Sequence, residues 1–173
     1  MITRYPLPGH NYADGITAGP DGALWFVEGF SNKIGRITIA GVITEFPLPT
    51  PFTGPQQITA GPDGALWFTE YSGRIGRITT SGVITEYTLP NTPSFPTGIS
   101  SGPDGALWFC ESYEANRIGR ITTSGVITDF ALPPGSNPQR ITTGPNGALW
   151  FTGFNYDGMI GRGEHRNRLR IRI

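Results

Sequence analysis

An eight-residue string, Gly-Pro-Asp-Gly-Ala-Leu-Trp-Phe, occurs at 19–26, 61–68 and 102–109, and returns at 144–151 with Asn146 in place of the aspartate. Its tryptophans, Trp25, Trp67, Trp108 and Trp150, are therefore 42, 41 and 42 residues apart. Behind each comes Ile-Gly-Arg, starting at Ile34, Ile75, Ile118 and Ile160, and behind the first three comes Val-Ile-Thr-acid-aromatic, starting at Val42, Val83 and Val126. A period near forty narrows the choice of folds sharply. One such unit cannot bury its own apolar face, so the units must stack and share a core.

Within a unit the pattern reads as four strands. A short apolar strand such as 15–18 ends at the Pro-Asp-Gly turn, where proline presets one turn residue and glycine takes a positive φ. A second strand covers 23–28, a third 33–39, and after a Gly-containing turn a fourth covers 42–46. Proline-rich links such as 47–55 lead to the next unit. No segment sustains a helical period, so we expect no helix. Four antiparallel strands at this period describe a propeller blade, with a solenoid as the alternative. The expectation is an all-β propeller of four four-stranded blades over 1–162, with blades at about 15–48, 57–89, 98–132 and 140–162. The repeated Trp and Phe belong to the layers between blades, since packed sheets need large apolar side chains there.

The first residues, Ile2-Thr3-Arg4-Tyr5-Pro6-Leu7-Pro8, match Ile43-Thr44-Glu45-Phe46-Pro47-Leu48-Pro49, so 2–7 reads as a fourth strand with no blade in front of it. The last unit loses the pattern after Arg162, where Gly163-Glu164-His165 stands. We therefore expect the N-terminal strand to complete the last blade, close the ring and remove the exposed edge. The aberrant basic tail, 163–173, alternates Arg with Leu or Ile from Arg168 onward and competes for the same place.

Composition narrows function mainly by exclusion. The formal charge is zero, giving no reason to expect nucleic acid or a membrane surface as partner. One cysteine, Cys110, forms no internal disulfide and supplies no zinc spacing. It replaces Val27, Thr69 and Thr152 at one strand position and reads as a small core residue. With no long apolar run and no charged-then-apolar leader, the expected location is cytoplasmic.

The run Gly-Pro-Asp-Gly-Ala-Leu-Trp-Phe-Thr-Glu, with Ile-Gly-Arg-Ile-Thr and Ile-Thr-Glu-Phe-Pro-Leu-Pro, resembles the blades of the streptogramin B lyases, also called virginiamycin B lyases. The resemblance covers 1–162 and implies a scaffold more firmly than an activity. It implies membership among seven-bladed propellers that open a cyclic depsipeptide by elimination at its ester, using a histidine base, a nearby glutamate and magnesium. Four units fall short of seven. The family's glutamate position corresponds to Glu28, Glu70 and Glu111, with Gly153 in the fourth unit. Its histidine position corresponds to Asp14, Gln56, Thr97 and Gln139, none of which is histidine.

Two histidines remain. His10 precedes the first inner strand and is a candidate base or a solvated loop residue; His165 sits in the tail. The three glutamates are candidate metal ligands if they converge on an axis, or solvated strand ends if they do not. The expectation is thus a lyase-like scaffold lacking its base, binding at a face formed by Asp14, Gln56, Thr97 and Gln139, with a small cyclic peptide as ligand. No cofactor is required by that reading. The alternative is a magnesium-dependent carbon–oxygen lyase, assembled as two chains in a larger ring. A four-bladed ring can close alone, and two chains can also combine into an eight-bladed one.

Overall fold

Each repeat folds as a meander. The computed structural model describes residues 2–91, 93–154, 159–164 and 170–172. Blade 1 holds β1 (Ile16–Ala18), β2 (Leu24–Glu28), β3 (Lys33–Ile37) and β4 (Ile43–Pro47). Blade 2 holds β5 (Pro55–Ala60), β6 (Leu66–Glu70), β7 (Arg74–Ile78) and β8 (Ile84–Thr88). Blade 3 holds β9 (Phe95–Ser101), β10 (Leu107–Ser112), β11 (Arg117–Ile121) and β12 (Ile127–Ala131). Blade 4 holds β13 (Pro138–Thr143), β14 (Leu149–Gly153), β15 (Met159–Glu164) and β16 (Arg170–Arg172). Every sheet runs antiparallel in chain order. Among the described residues the only helical element is a 3₁₀ turn, Pro8–His10.

The turn between the first two strands shows why the repeat is so constant. In blade 2, Gly64 takes φ +73°, which closes the turn. Asp63 then accepts hydrogen bonds from Trp67 Nε1 at 3.0 Å through Oδ1 and from Arg77 Nε at 2.7 Å through Oδ2. The Arg77 guanidinium also lies 5.9 Å above the Trp67 ring. One aspartate thus ties turn, second strand and third strand together, and Asp21 and Asp104 do the same in blades 1 and 3. Burial pushes these carboxyls up, but the bonds from Trp and Arg overcome it; Asp104 is held down at about 2.

Strand alternation gives each blade two unlike faces. One bears the tryptophan, with Ile75 and Tyr87 beside Trp67 in blade 2; the other bears Leu66, Phe68 and Ile78. The Trp-bearing face of each blade covers the Phe-bearing face of the next. Trp25, Val27, Ile34 and Leu48 meet Ile58, Leu66, Phe68 and Ile78, and Trp67, Ile75 and Leu89 meet Ile99, Leu107, Phe109 and Ile121. Trp108, Cys110, Ile118 and Leu132 meet Ile141, Leu149 and Phe151. Each buried side chain of this kind contributes about 1.5–3 kcal/mol. Glycine on the third strand makes the layer flat. A Cβ on Gly76 would stand 2.1 Å from the Phe68 ring, so only glycine lets that ring lie on the sheet.

The expected closure of the ring by 2–7 is not what the structure has. Ile2–Leu7 belongs to none of the four sheets, and the outer edge of blade 4 is taken by β16 from the tail, pairing Arg162 with Arg172 and Gly163 with Ile171. The N-terminal segment instead lies on blade 1. Tyr5 packs against Gly41 as Phe46 packs against Gly82 and Tyr87 against Gly125. The match to Ile43–Pro49 therefore places the segment where the fourth strand of a preceding blade would stand. The basic tail, in turn, is partly a blade strand.

Candidate functional site

The inner strands β1, β5, β9 and β13 determine what faces the axis. Their crowding is severe: a Cβ on Gly15 would be 3.1 Å from Gln57 Cα, and one on Gly98 would be 2.7 Å from Arg140 Cα. The position that is Gly15, Gln57, Gly98 and Arg140 along the repeats thus alternates no side chain with a long one, because neighbouring strands approach too closely for both to be long.

Where the long side chains stand, a polar cavity of 530 Å³ opens, lined by Asp14, Gly15, Ile16, Gln56, Gln57 and Arg140. Arg140, from blade 4, donates through Nη1 to Gln57 Oε1 of blade 2. Of the four residues expected to form a binding face, the structure brings Asp14 and Gln56 into this cavity. The other two turn to Ser112: Thr97 Oγ1 lies 2.9 Å from Ser112 Oγ, and Gln139 Nε2 donates to the same oxygen at 3.2 Å. Gln57, Arg140 and Ser112 were not anticipated. For Arg140 and Gln57 the signal was divergence, since they occupy an inner-strand position that is glycine in the other two blades.

The links are clipped so that the inner strands start at fixed points. Asn32 Oδ1 accepts from Thr53 N at 2.8 Å and Thr53 Oγ1 at 2.9 Å, while its Nδ2 donates to Thr50 O at 2.8 Å. Asn116 holds the third link in the same way, accepting from Asn137 N at 2.8 Å.

The three candidate metal ligands do not meet at an axis. Glu28, Glu70 and Glu111 are buried within their own blades, each beside the acid of the fourth strand: Glu45, Glu86 and Asp129 respectively. Burial pushes Glu70 up to about 7, with Glu86 adding to the rise and the Thr53 hydroxyl and Arg74 opposing it. Glu111 is likewise pushed up to about 7 by burial, with Asp129 adding to the rise and a 2.6 Å bond from Ser94 Oγ opposing it. Glu28 is raised by burial and by Glu45. Among the described residues no third acidic, imidazole or thiol group joins any pair. Magnesium keeps several of its waters and is held through one or two carboxylates, so one such pair would supply its protein oxygens when ionised.

His10 ends the 3₁₀ turn Pro8–His10, and the structure describes its backbone only. His165 lies outside the described residues. Cys110 is fully buried, and burial pushes its thiol up, away from nucleophilic character.

Four meander sheets, layered Trp-bearing face on Phe-bearing face with a polar cavity at their inner strands, make this a β-propeller-type protein. The family model described as the virginiamycin B lyase family matches residues 1–171, and the chain belongs to that family. A virginiamycin B lyase structure from Staphylococcus aureus is 47% identical, with a TM-score of 0.93 over 99% of this chain and 59% of that one. A catalytically inactive virginiamycin B lyase from the same organism, solved with quinupristin, is 48% identical, with a TM-score of 0.89 over 95% of this chain and 57% of that one. The Bordetella parapertussis virginiamycin B lyase is 49% identical over 35 residues, which is 20% of this chain and 12% of that protein. The chain spans about three-fifths of the length of the lyase structures it matches.

Proposed function

We propose that this chain is a binding scaffold of the lyase family that receives a small cyclic peptide ester at the inner-strand cavity and does not open it. The observation that carries the reading is the set Asp14, Gln56, Thr97 and Gln139. Where the family resemblance asks for a histidine base, the four blades offer a carboxylate, two amides and a hydroxyl. A general base must reach the proton directly or through one water. Gln56 and the Arg140–Gln57 pair instead suit the amide and ester carbonyls of a cyclic depsipeptide, as hydrogen-bond donors. The cavity of 530 Å³ also falls within the usual range for small-molecule sites.

Titration calorimetry with quinupristin tests this. Wild-type protein is expected to bind, and Arg140→Ala to bind about tenfold more weakly, equivalent to about 1.4 kcal/mol. Unchanged affinity in Arg140→Ala, or no heat of binding to the wild type, would count against the cavity as the site. The competing reading, a magnesium-dependent carbon–oxygen lyase formed by two chains, requires turnover rather than binding alone.

A further inference from the structure

The turn before the second strand carries one substitution among the four blades. Asp21, Asp63 and Asp104 stand before Gly22, Gly64 and Gly105, whereas blade 4 has Asn146 before Gly147. The framework around it is unchanged. Gly147 takes φ +73°, as Gly64 does, and its N–H donates to Gly144 O at 3.0 Å. Trp150 pairs with Arg162 as Trp67 pairs with Arg77. A Cβ on Gly144 would stand 2.6 Å from Trp150 Nε1, as one on Gly61 would from Trp67 Nε1, so the indole edge faces the turn alike in both blades. The Arg162 guanidinium lies 5.6 Å above the Trp150 ring, against 5.9 Å for Arg77 above Trp67.

The side chain is where blade 4 differs. Each aspartate accepts from the alanine N–H two residues on, from tryptophan Nε1 and from arginine Nε. Among the described residues Asn146 has one side-chain bond, accepted through Oδ1 from Ala148 N at 3.2 Å. The chemistry of the two groups accounts for this. A carboxylate accepts on both oxygens, so Oδ1 serves the indole and Oδ2 the guanidinium. An amide carries an NH₂ donor in place of the second oxygen, and a guanidinium accepts nothing. Asn146–Gly147 is also the one Asn-Gly pair in the chain. An asparagine amide is most open to attack by the next backbone nitrogen when that residue is glycine, which puts no side chain in the way. Asn146 is exposed, and nothing stands nearer than 3.9 Å to where a Cβ of Gly147 would be.

We propose that Asn146 is a site of deamidation by water, and that its aspartate product completes in blade 4 the anchor with which the other three blades are built. The Gly147 nitrogen gives up its proton to solvent base and attacks Asn146 Cγ. A bond from that nitrogen to Cγ forms, the Cγ–Nδ2 bond breaks, and Nδ2 leaves as ammonia after taking up a proton from solvent. The five-membered imide that results is opened by water. Cleavage of the new bond restores the ordinary backbone with aspartate at 146; cleavage at the backbone carbonyl instead leaves isoaspartate, whose chain is one carbon longer and does not fit the turn. No electrons are gained or lost in either case. The turn itself regulates the reaction. The attacking nitrogen is held by Gly144 O, so the ring closes when the turn opens, and a turn tied by one side-chain bond opens more readily than one tied by three. Once formed, the carboxylate takes charge-assisted bonds from the Arg162 and Trp150 donors and holds closed the turn that admitted the reaction.

Two measurements on the full chain test the proposal. The first ages the folded protein at mildly alkaline pH and maps its peptides by mass spectrometry, with fragmentation that separates aspartate from isoaspartate. Acid is expected at 146 ahead of every other asparagine, with aspartate among the products. Asn146→Gln is expected to stay an amide, because its imide ring would need six members. The second compares urea midpoints. Asn146→Asp is expected to unfold at about 0.5 M higher urea than the wild type, and Asn146→Ala at no higher urea than the wild type. The aspartate variant reproduces the turn of the other three blades, so its folding is not in question. An intact amide at 146 while other asparagines convert, isoaspartate as the sole product, or an Asn146→Asp midpoint no higher than that of Asn146→Ala would each overturn the proposal.

Discussion

Replacing Glu70 with glutamine should remove a large part of the protein's pH dependence of stability. Glu70 is fully buried beside Glu86, and burial outweighs the Thr53 hydroxyl to push it up to about 7 in the folded chain against 4.5 for an ordinary glutamate. The folded state binds the proton more tightly than the unfolded chain, so stability must fall as pH rises. The contribution is complete below pH 4.5, declines through the interval, and has been lost above pH 7. The shift of about 2.5 units corresponds to about 3.4 kcal/mol in full. Between about pH 5 and pH 8.5 the loss is about 2.6 kcal/mol, because the unfolded chain has already released most of its proton at the lower value. Glutamine keeps the neutral shape of the protonated acid and does not titrate. Urea unfolding of wild type and Glu70→Gln at the two pH values, with a chelator present, isolates the effect, since Glu28 and Glu111 titrate in both proteins. With a slope of about 2 kcal/mol per molar urea, the wild-type midpoint should drop by about 1.3 M more than that of the variant. Parallel profiles would mean that Glu70 is ionised and solvated in the folded protein, and the buried carboxyl pair would have to be abandoned.

Three further outcomes follow from the same packing. Gly76→Ala drives a methyl into the Phe68 ring and should lower stability by about 1–3 kcal/mol, read as a urea midpoint, whereas Gly64→Ala acts through its positive φ alone. Asp63→Ala strands the Trp67 indole N–H and frees Arg77, and should lower stability by about 1–3 kcal/mol; a loss under a few tenths would show that the turn aspartate does not anchor the blade. Cys110 should react with a thiol reagent only as fast as the protein unfolds, so labelling faster than unfolding would contradict its burial.

The repeat made most of the fold legible. Pro-Asp-Gly, Ile-Gly-Arg and the Thr-acid-aromatic run located the strands to within a residue or two, and the recurrence of Trp and Phe placed both in the layers between blades. Closure was not legible, because the match between Ile2–Leu7 and Ile43–Leu48 identifies a place in a blade without saying which sheet supplies the hydrogen bonds. That depends on how far each Trp-on-Phe layer turns the next blade, a property of packed shapes. The glutamates were left open between converging ligands and solvated strand ends, and their burial beside a second acid fits neither. Glu45, Glu86 and Asp129 recur just as regularly, and Gly35, Gly76 and Gly119 pair with them across the sheet. The cavity residues Gln57 and Arg140 sat where the repeats disagree, a position that a search for common motifs passes over.

Binding without ring opening is the central functional claim, and incubation of quinupristin with the protein and magnesium tests it most directly. Elimination at the ester would give an open-chain isomer of unchanged mass, so the recovered ligand must be resolved by chromatography and by its fragmentation. The account predicts that the ligand is retained by the protein and recovered as the intact cycle, with and without magnesium. Accumulation of the linear isomer in proportion to protein, dependent on magnesium and abolished by His10→Ala, would contradict it.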